Sequence, residues 1–255
     1  VSINSKTTKK NNLFIAIKGK KNDGHNFLSE AKENGANFCV VSKTTKQKSN
    51  IIKVKNTFNF LKSLAQKNRE QSSSRFIAIT GSSGKTTVKS MLGNLLKLYT
   101  TSYYSPKSYN NHYGVPLSIC NMRPNDHYGV FEVGMNKFRE IHKLSSLIKP
   151  HLGIITNVSE AHLENFKNIQ EIAKAKSEII YNIQKNGTVI LNGDDQFFSY
   201  FKKIAKKNGI KVKSFGFSKK SNTKFISLKK KTNYFLLKLH VDKKNLYLQI
   251  NNKNK

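Results

Sequence analysis

Residues 76–99 constrain this chain more than any other stretch. Phe76-Ile77-Ala78-Ile79-Thr80 is an unbroken apolar run, as in a strand covered on both faces. Gly81-Ser82-Ser83-Gly84-Lys85-Thr86-Thr87 follows with no spacer, and Val88, Met91, Leu92, Leu95 and Tyr99 then recur at helical spacing. A buried strand, a tight glycine loop and a helix, in that order, make a phosphate-binding loop. The glycines let the backbone approach oxygen atoms, and loop amides and the helix N-terminus face the anion. Lys85 is placed to neutralise terminal phosphates, and Thr86 to offer a hydroxyl to Mg²⁺. The strict motif wants a glycine where Ile79 stands, so this is a shorter variant. The bland alternative is an incidental Gly/Ser turn, and the flanking strand and helix count against it. Alone, the loop implies nucleotide binding and names no reaction.

Short elements alternate on both sides of the loop. Upstream, strands are expected at 13–17, 38–41 and 51–54, with helices at 27–34 and from Phe58 to about Arg69. The polar stretch Gln71-Ser72-Ser73-Ser74 places a boundary between a first domain, 1–73, and a second, 76–255. Downstream, strands at 130–133, 152–156 and 188–191 alternate with helical stripes at 141–148, 169–180 and 197–207. That alternation predicts an α/β fold: a small N-terminal α/β domain, then a loop-bearing domain with a mainly parallel sheet. Phe225–Leu228, Tyr234–His240 and Leu246–Ile250 read as strands with no helix between them, a short antiparallel patch.

Composition narrows the class. The 46 Lys and Arg against 14 Asp and Glu give a net charge of +32. Such a charge could serve nucleic-acid binding. The lysines are spread along the whole chain, arginine is scarce and no RNA- or DNA-binding signature is present, so compositional bias on solvent positions is the better reading. The charge still steers anionic substrates inward. Two cysteines, Cys39 and Cys120, show neither disulfide-framework nor metal spacing and fit a reducing, cytoplasmic compartment. No apolar run approaches the ~20 residues of a membrane span.

Five ordered segments resemble the Mur ligases, a family of ATP-dependent ligases. These are Thr80–Thr87, Asn110-Asn111-His112-Tyr113-Gly114-Val115-Pro116-Leu117, Glu132-Val133-Gly134-Met135-Asn136 with Glu140-Ile141, Thr156–Glu164 with Ala161-His162-Leu163-Glu164, and Ala173–Ile179. The N-terminal segments Leu13–Gly19 and Asp23–Phe27 resemble the first domain of the branch that joins D-alanyl-D-alanine to a UDP-N-acetylmuramoyl-tripeptide.

The resemblance implies a two-step reaction. ATP phosphorylates the terminal carboxylate of the UDP-linked peptide, and an amine attacks the acyl phosphate. It implies that Gly81, Ser82, Ser83, Gly84, Lys85, Thr86 and Thr87 hold ATP, with Asn192 on the adenine side. It implies that Thr86 serves a first Mg²⁺ and Glu132 and His162 a second, and that Lys176 is carbamylated. Lys85, Glu132, His162 and Lys176 would form the catalytic set. Ser5 and Lys6 correspond to the uridine pocket, and Asn110 and Asn111 to substrate contacts. The bland readings are a capping Glu132, a structural His162 and a snorkelling Lys176.

The resemblance is incomplete. Asn4-Ser5-Lys6 stands where the family often has Asp-Ser-Arg, and Arg139 where it usually has glycine. The family's C-terminal domain has no counterpart, so the expectation is an incomplete, monomeric ligase that alone binds nucleotide weakly. The competing readings are a related ligase adding a single amino acid or glutamates to folate, a basic loop protein that binds nucleic acid, and a binding module without turnover.

Overall fold

The structure, a computed structural model, describes residues 1–19, 21–45, 49–160, 165–219, 221–242 and 244–251. Asn12–Ile15 (β1), Leu28–Glu33 (α1), Ala36–Val41 (β2) and Ile51–Lys53 (β3) open the chain, and the three strands form a parallel sheet in the order β1-β2-β3. Side-chain alternation divides its faces. Phe14, Cys39 and Val41 bury one side with Leu28 and Ala31 of α1. Ile15 and Val40 point the other way, into a core shared with the helix Thr57–Gln71 (α2). Both cysteines are free and buried. His25 is structural: its Nδ1 lies 2.6 Å from Asp23 Oδ1, and its Nε2 accepts the Ser42 N–H at 2.9 Å, fixing the Gly24–Phe27 turn to the end of β2.

Among the described residues the second sheet has nine strands. Arg75–Thr80 (β4) leads to Lys85–Lys97 (α3), Ser102–Tyr104 (β5), Gly114–Cys120 (α4), Tyr128–Glu132 (β6), Glu140–Ile148 (α5) and Leu152–Ile155 (β7). Ile169–Ser177 (α6), Thr188–Asn192 (β8), Phe198–Lys207 (α7) and Lys211–Gly216 (β9) follow, then Thr223–Lys230 (β10), Tyr234–Val241 (β11) and Lys244–Asn251 (β12). The order is β12-β11-β10-β9-β8-β7-β4-β6-β5. Pairing is parallel from β5 to β10 and antiparallel through β10, β11 and β12, as the mainly parallel sheet with an antiparallel patch required.

β4 runs between β6 and β7 and is buried on both faces. Phe76 and Ala78 face the core made with α4 and α5, while Ile77 and Ile79 face α3. Because the chain passes from β4 to one side of the sheet and returns to the other at β7, a crevice opens at the carboxyl end of β4, where such sheets bind ligands.

Several elements differ from expectation. β5, α4 and β9 had no predicted counterpart. α4 is buried at all seven positions, so it carries no amphipathic period. β5 is a three-residue edge strand. Helix α6 ends at Ser177, and Ile180–Asn182 continues as a 3₁₀ turn. On α3, Val88 and Leu92 face the sheet with Leu96, but Met91 and Leu95, and Tyr99 just past the helix end, are exposed. The buried positions of that helix are Lys89 and Gly93. Arg139 has φ 66°, the left-handed region, at the N-terminus of α5. That conformation accounts for a glycine preference there, and Glu178 holds it by accepting the Arg139 and His142 amides at 2.7 and 3.0 Å.

Arg69 ties α2 to the second sheet. Its buried guanidinium donates to the carbonyls of Ile148 at 2.6 Å and Lys149 at 2.8 Å and lies 4.0 Å from the Phe76 ring centroid. Replacing Arg69 by Met leaves two carbonyls without their charged donor, and the expected loss is roughly 3 kcal/mol in urea unfolding.

Candidate active site

The loop turns because of two glycines. Gly84 has φ 77° at the start of α3. Gly81 has φ 151°, and a Cβ there would run into the Thr156 hydroxyl. The segment after β7 clamps the loop. Thr156 Oγ1 donates to Ser83 O at 2.6 Å, Ser82 N to Asn157 O at 3.0 Å and Ser83 N to Asn157 Oδ1 at 3.0 Å. The Ser82 and Ser83 amides are thus turned to Asn157. The anion-facing amides are those of the first turn of α3, where a helix lacks internal partners. Thr87 sits exposed on that turn.

Strand ends bring the other groups in. Glu132 closes β6 beside β4 and is buried. Its Oε2 accepts the Thr86 hydroxyl at 2.8 Å, and its Oε1 accepts Asn110 Nδ2 at 2.8 Å. Lys89 Nζ lies 3.6 Å from the same Oε2. Lys85 Nζ donates to Gly81 O at 2.8 Å and Ser82 O at 3.3 Å. Lys176, from the last turn of α6, is only 2% exposed, which excludes a snorkelling side chain. Lys85, Lys176, Asn110, Asn111, Gly81 and Glu140 line one cavity of about 530 Å³.

A second cavity, of about 690 Å³, is lined by Ser5, Lys6, Phe14 and Tyr109 and shares Asn111 as a wall residue with the first. Ser5 is fixed there by donating to Glu30 Oε2 at 2.6 Å, and Asn111 Oδ1 accepts the amides of Tyr113 and Gly114 at 3.1 and 2.9 Å, capping α4. Asn192 ends β8, two strands from β4, roughly 10 Å across the sheet. Its Oδ1 accepts the Asp194 amide at 3.0 Å, so its side chain shapes its own turn. His162 lies outside the described residues.

The donor set fits Mg²⁺. A hydroxyl and a carboxylate oxygen in contact at the mouth of the loop are hard donors, and phosphate oxygens and water complete such a shell. Among the described residues no group of three or more His, Cys, Asp or Glu could hold a metal unaided. Sequence reasoning missed Lys89 and the clamping role of Asn157. The signal for Lys89 was a lysine one helical turn beyond Lys85, on the face that Val88 and Leu92 turn to the sheet.

Comparison with known proteins fits this geometry. The Mur ligase middle domain matches residues 79–252. The chain belongs to the Mur ligase family. The description "Mur ligase family, catalytic domain" also matches residues 1–69. Among curated relatives of this Mur ligase chain, the UDP-N-acetylmuramoyl-tripeptide–D-alanyl-D-alanine ligase of Rickettsia prowazekii (strain Madrid E) is 40% identical over 232 residues, 90% of this chain and 51% of the relative. The ligase of the same name from Escherichia coli (strain K12) is 37% identical over 183 residues, 72% of this chain and 40% of the relative. A crystal structure of MurF from Acinetobacter baumannii superposes with a TM-score of 0.84 at 29% identity, covering 97% of this chain and 54% of that one. MurF ligase from Thermotoga maritima in complex with ADP gives 0.82 at 28%, covering 97% and 57%. The Mur ligase chain spans about half the length of the curated relatives it matches.

The cavity is electrostatically uneven. Burial lowers the Lys85 pKa, partly offset by Glu132. Burial, then the charge of Lys85, pulls Lys176 down to about 7. Between that value and the ordinary 10.5 the unfolded chain binds a proton that the folded chain does not, so stability rises with pH across the window. Lys176→Met is expected to flatten that slope and raise the melting temperature at neutral pH. Thermal melts between about pH 7 and about pH 9 in bicarbonate-free buffer check this.

Proposed function

We propose that this chain supplies the nucleotide and UDP-peptide sites of an ATP-dependent ligase that joins D-alanyl-D-alanine to a UDP-N-acetylmuramoyl-tripeptide in the cytoplasm. One observation carries the reading: Lys85, Thr86, Glu132 and Lys176 converge from three different elements on the end of β4, and the cavity that Lys85 and Lys176 line shares Asn111 as a wall residue with a second one. The second cavity suits a UDP-linked substrate whose peptide reaches the loop. In this reading residues 1–73 hold the uridine end through Ser5 and Lys6, and residues 76–255 hold ATP through Gly81–Thr87, with Asn192 toward the adenine.

A carboxylate oxygen of the peptide attacks the γ-phosphorus of ATP, the bond to the bridging oxygen breaks and ADP leaves. The dipeptide amine then attacks the acyl carbon and sheds a proton, and phosphate departs with the bonding electrons. Lys85 follows the charge on the transferring phosphoryl group, which positioning and electrostatics stabilise. Thr86 and Glu132 would hold Mg²⁺, which would neutralise phosphate charge when bound. Asn110 fixes the Glu132 carboxylate, and Asn111 stands in the wall of both cavities beside the path of the peptide. Lys176, with its pKa near 7, has the neutral amine that reaction with CO₂ requires, and its carbamate would add an anionic oxygen to the site.

A phosphate-release assay on the intact protein tests the reading. Release is expected to need ATP, the UDP-linked tripeptide and D-alanyl-D-alanine together, and equal release with single amino acids would overturn the choice of amine. On this chain itself, Lys85→Ala is expected to weaken binding of a fluorescent ATP analogue about tenfold, or ~1.4 kcal/mol.

A further inference from the structure

Two lysines one turn apart on α3 meet different partners. Lys85 lines the cavity, whereas Lys89 does not and is 1% exposed. A buried ammonium needs a counter-charge and acceptors. Lys89 finds both: Glu132 Oε2 at 3.6 Å, and the carbonyl of Lys107, to which it donates. Lys107 itself is left-handed, with φ 45°, on the segment that carries Asn110. Lys89 therefore touches both sides of the Glu132 cage: the carboxylate directly, and the segment whose Asn110 holds Oε1. Lys85 is also coupled to Glu132.

We propose that Lys89 is a positioning residue. It balances and orients Glu132 so that Oε2 stays against the Thr86 hydroxyl and is not drawn to Lys85. The role rests on the reading of this site as a nucleotide–Mg²⁺ site, but it concerns a residue that touches neither ligand.

The test separates orientation from simple structural support. ADP affinity is measured by calorimetry in EDTA and in saturating Mg²⁺, for the unaltered chain, Lys89→Met and Lys89→Gln, with melting temperatures for each. The glutamine variant keeps a donor for the Lys107 carbonyl and guards against a methionine variant that does not fold. The expected result is a metal-dependent gain in ADP affinity that falls at least tenfold in the variants, while metal-free affinity changes less than threefold. A folded variant with its metal-dependent gain intact, or with both affinities reduced equally, overturns the proposal, as does loss of folding in both variants. If the unaltered chain binds ADP with no metal-dependent gain, the metal reading of the site fails and takes this role with it. If it binds no ADP, the proposed function itself fails.

Discussion

A carboxylate buried at the end of a central strand cannot stand alone, because desolvating an unpaired charge costs several kcal/mol. Glu132 is such a group, and the arrangement around it follows from keeping it satisfied. Thr86 at the first turn of α3, Asn110 from the segment before α4 and Lys89 inside α3 all converge on its two oxygens. Those contacts fix the helix, the segment and the strand relative to one another. The same cage holds the hydroxyl and carboxylate side by side as hard oxygen donors, so what satisfies a buried charge also places the two donors of the proposed Mg²⁺ site.

Charge is graded outward from that point. The chain carries +32 overall, yet the innermost lysines are restrained. Lys89 is neutralised by Glu132, Lys85 is folded back onto loop carbonyls and Lys176 is pushed toward its neutral form. Phosphate groups approaching from solvent meet an attractive field. Once inside, they meet a few placed cations and not a dense cluster.

The loop itself shows how tertiary contacts revise a motif. Ser82 and Ser83 belong to the glycine loop by sequence, but their amides are bonded to Asn157. The clamp ties the loop after β4 to the segment after β7 through hydrogen bonds that Thr156 donates and Asn157 accepts. Arg139 is a comparable case at α5: a side chain occupies a left-handed position, and Glu178 from the end of α6 compensates through two amide hydrogen bonds.

What was legible in the sequence was local. The strand–loop–helix unit at 76–97, the parallel α/β alternation and the antiparallel tail are written in runs and periods of a few residues, which neighbouring side chains decide among themselves. α4 escaped because a helix buried on every side has no polar face to mark its period. β5 and β9 escaped because a three-residue edge strand and a lysine-rich alternation resemble loop. The residues of the site could be named through a family resemblance, but their mutual contacts could not be read from spacing. Glu132 stands 46 residues from Thr86, and only the sheet order that sets β6 beside β4 brings them into hydrogen-bonding distance. Lys89 is the sharpest instance. By sequence it is one lysine among many, and only the burial of α3 against β6 turns it into the counter-charge of the site, because a charge acquires its role from the partner that folding places within reach.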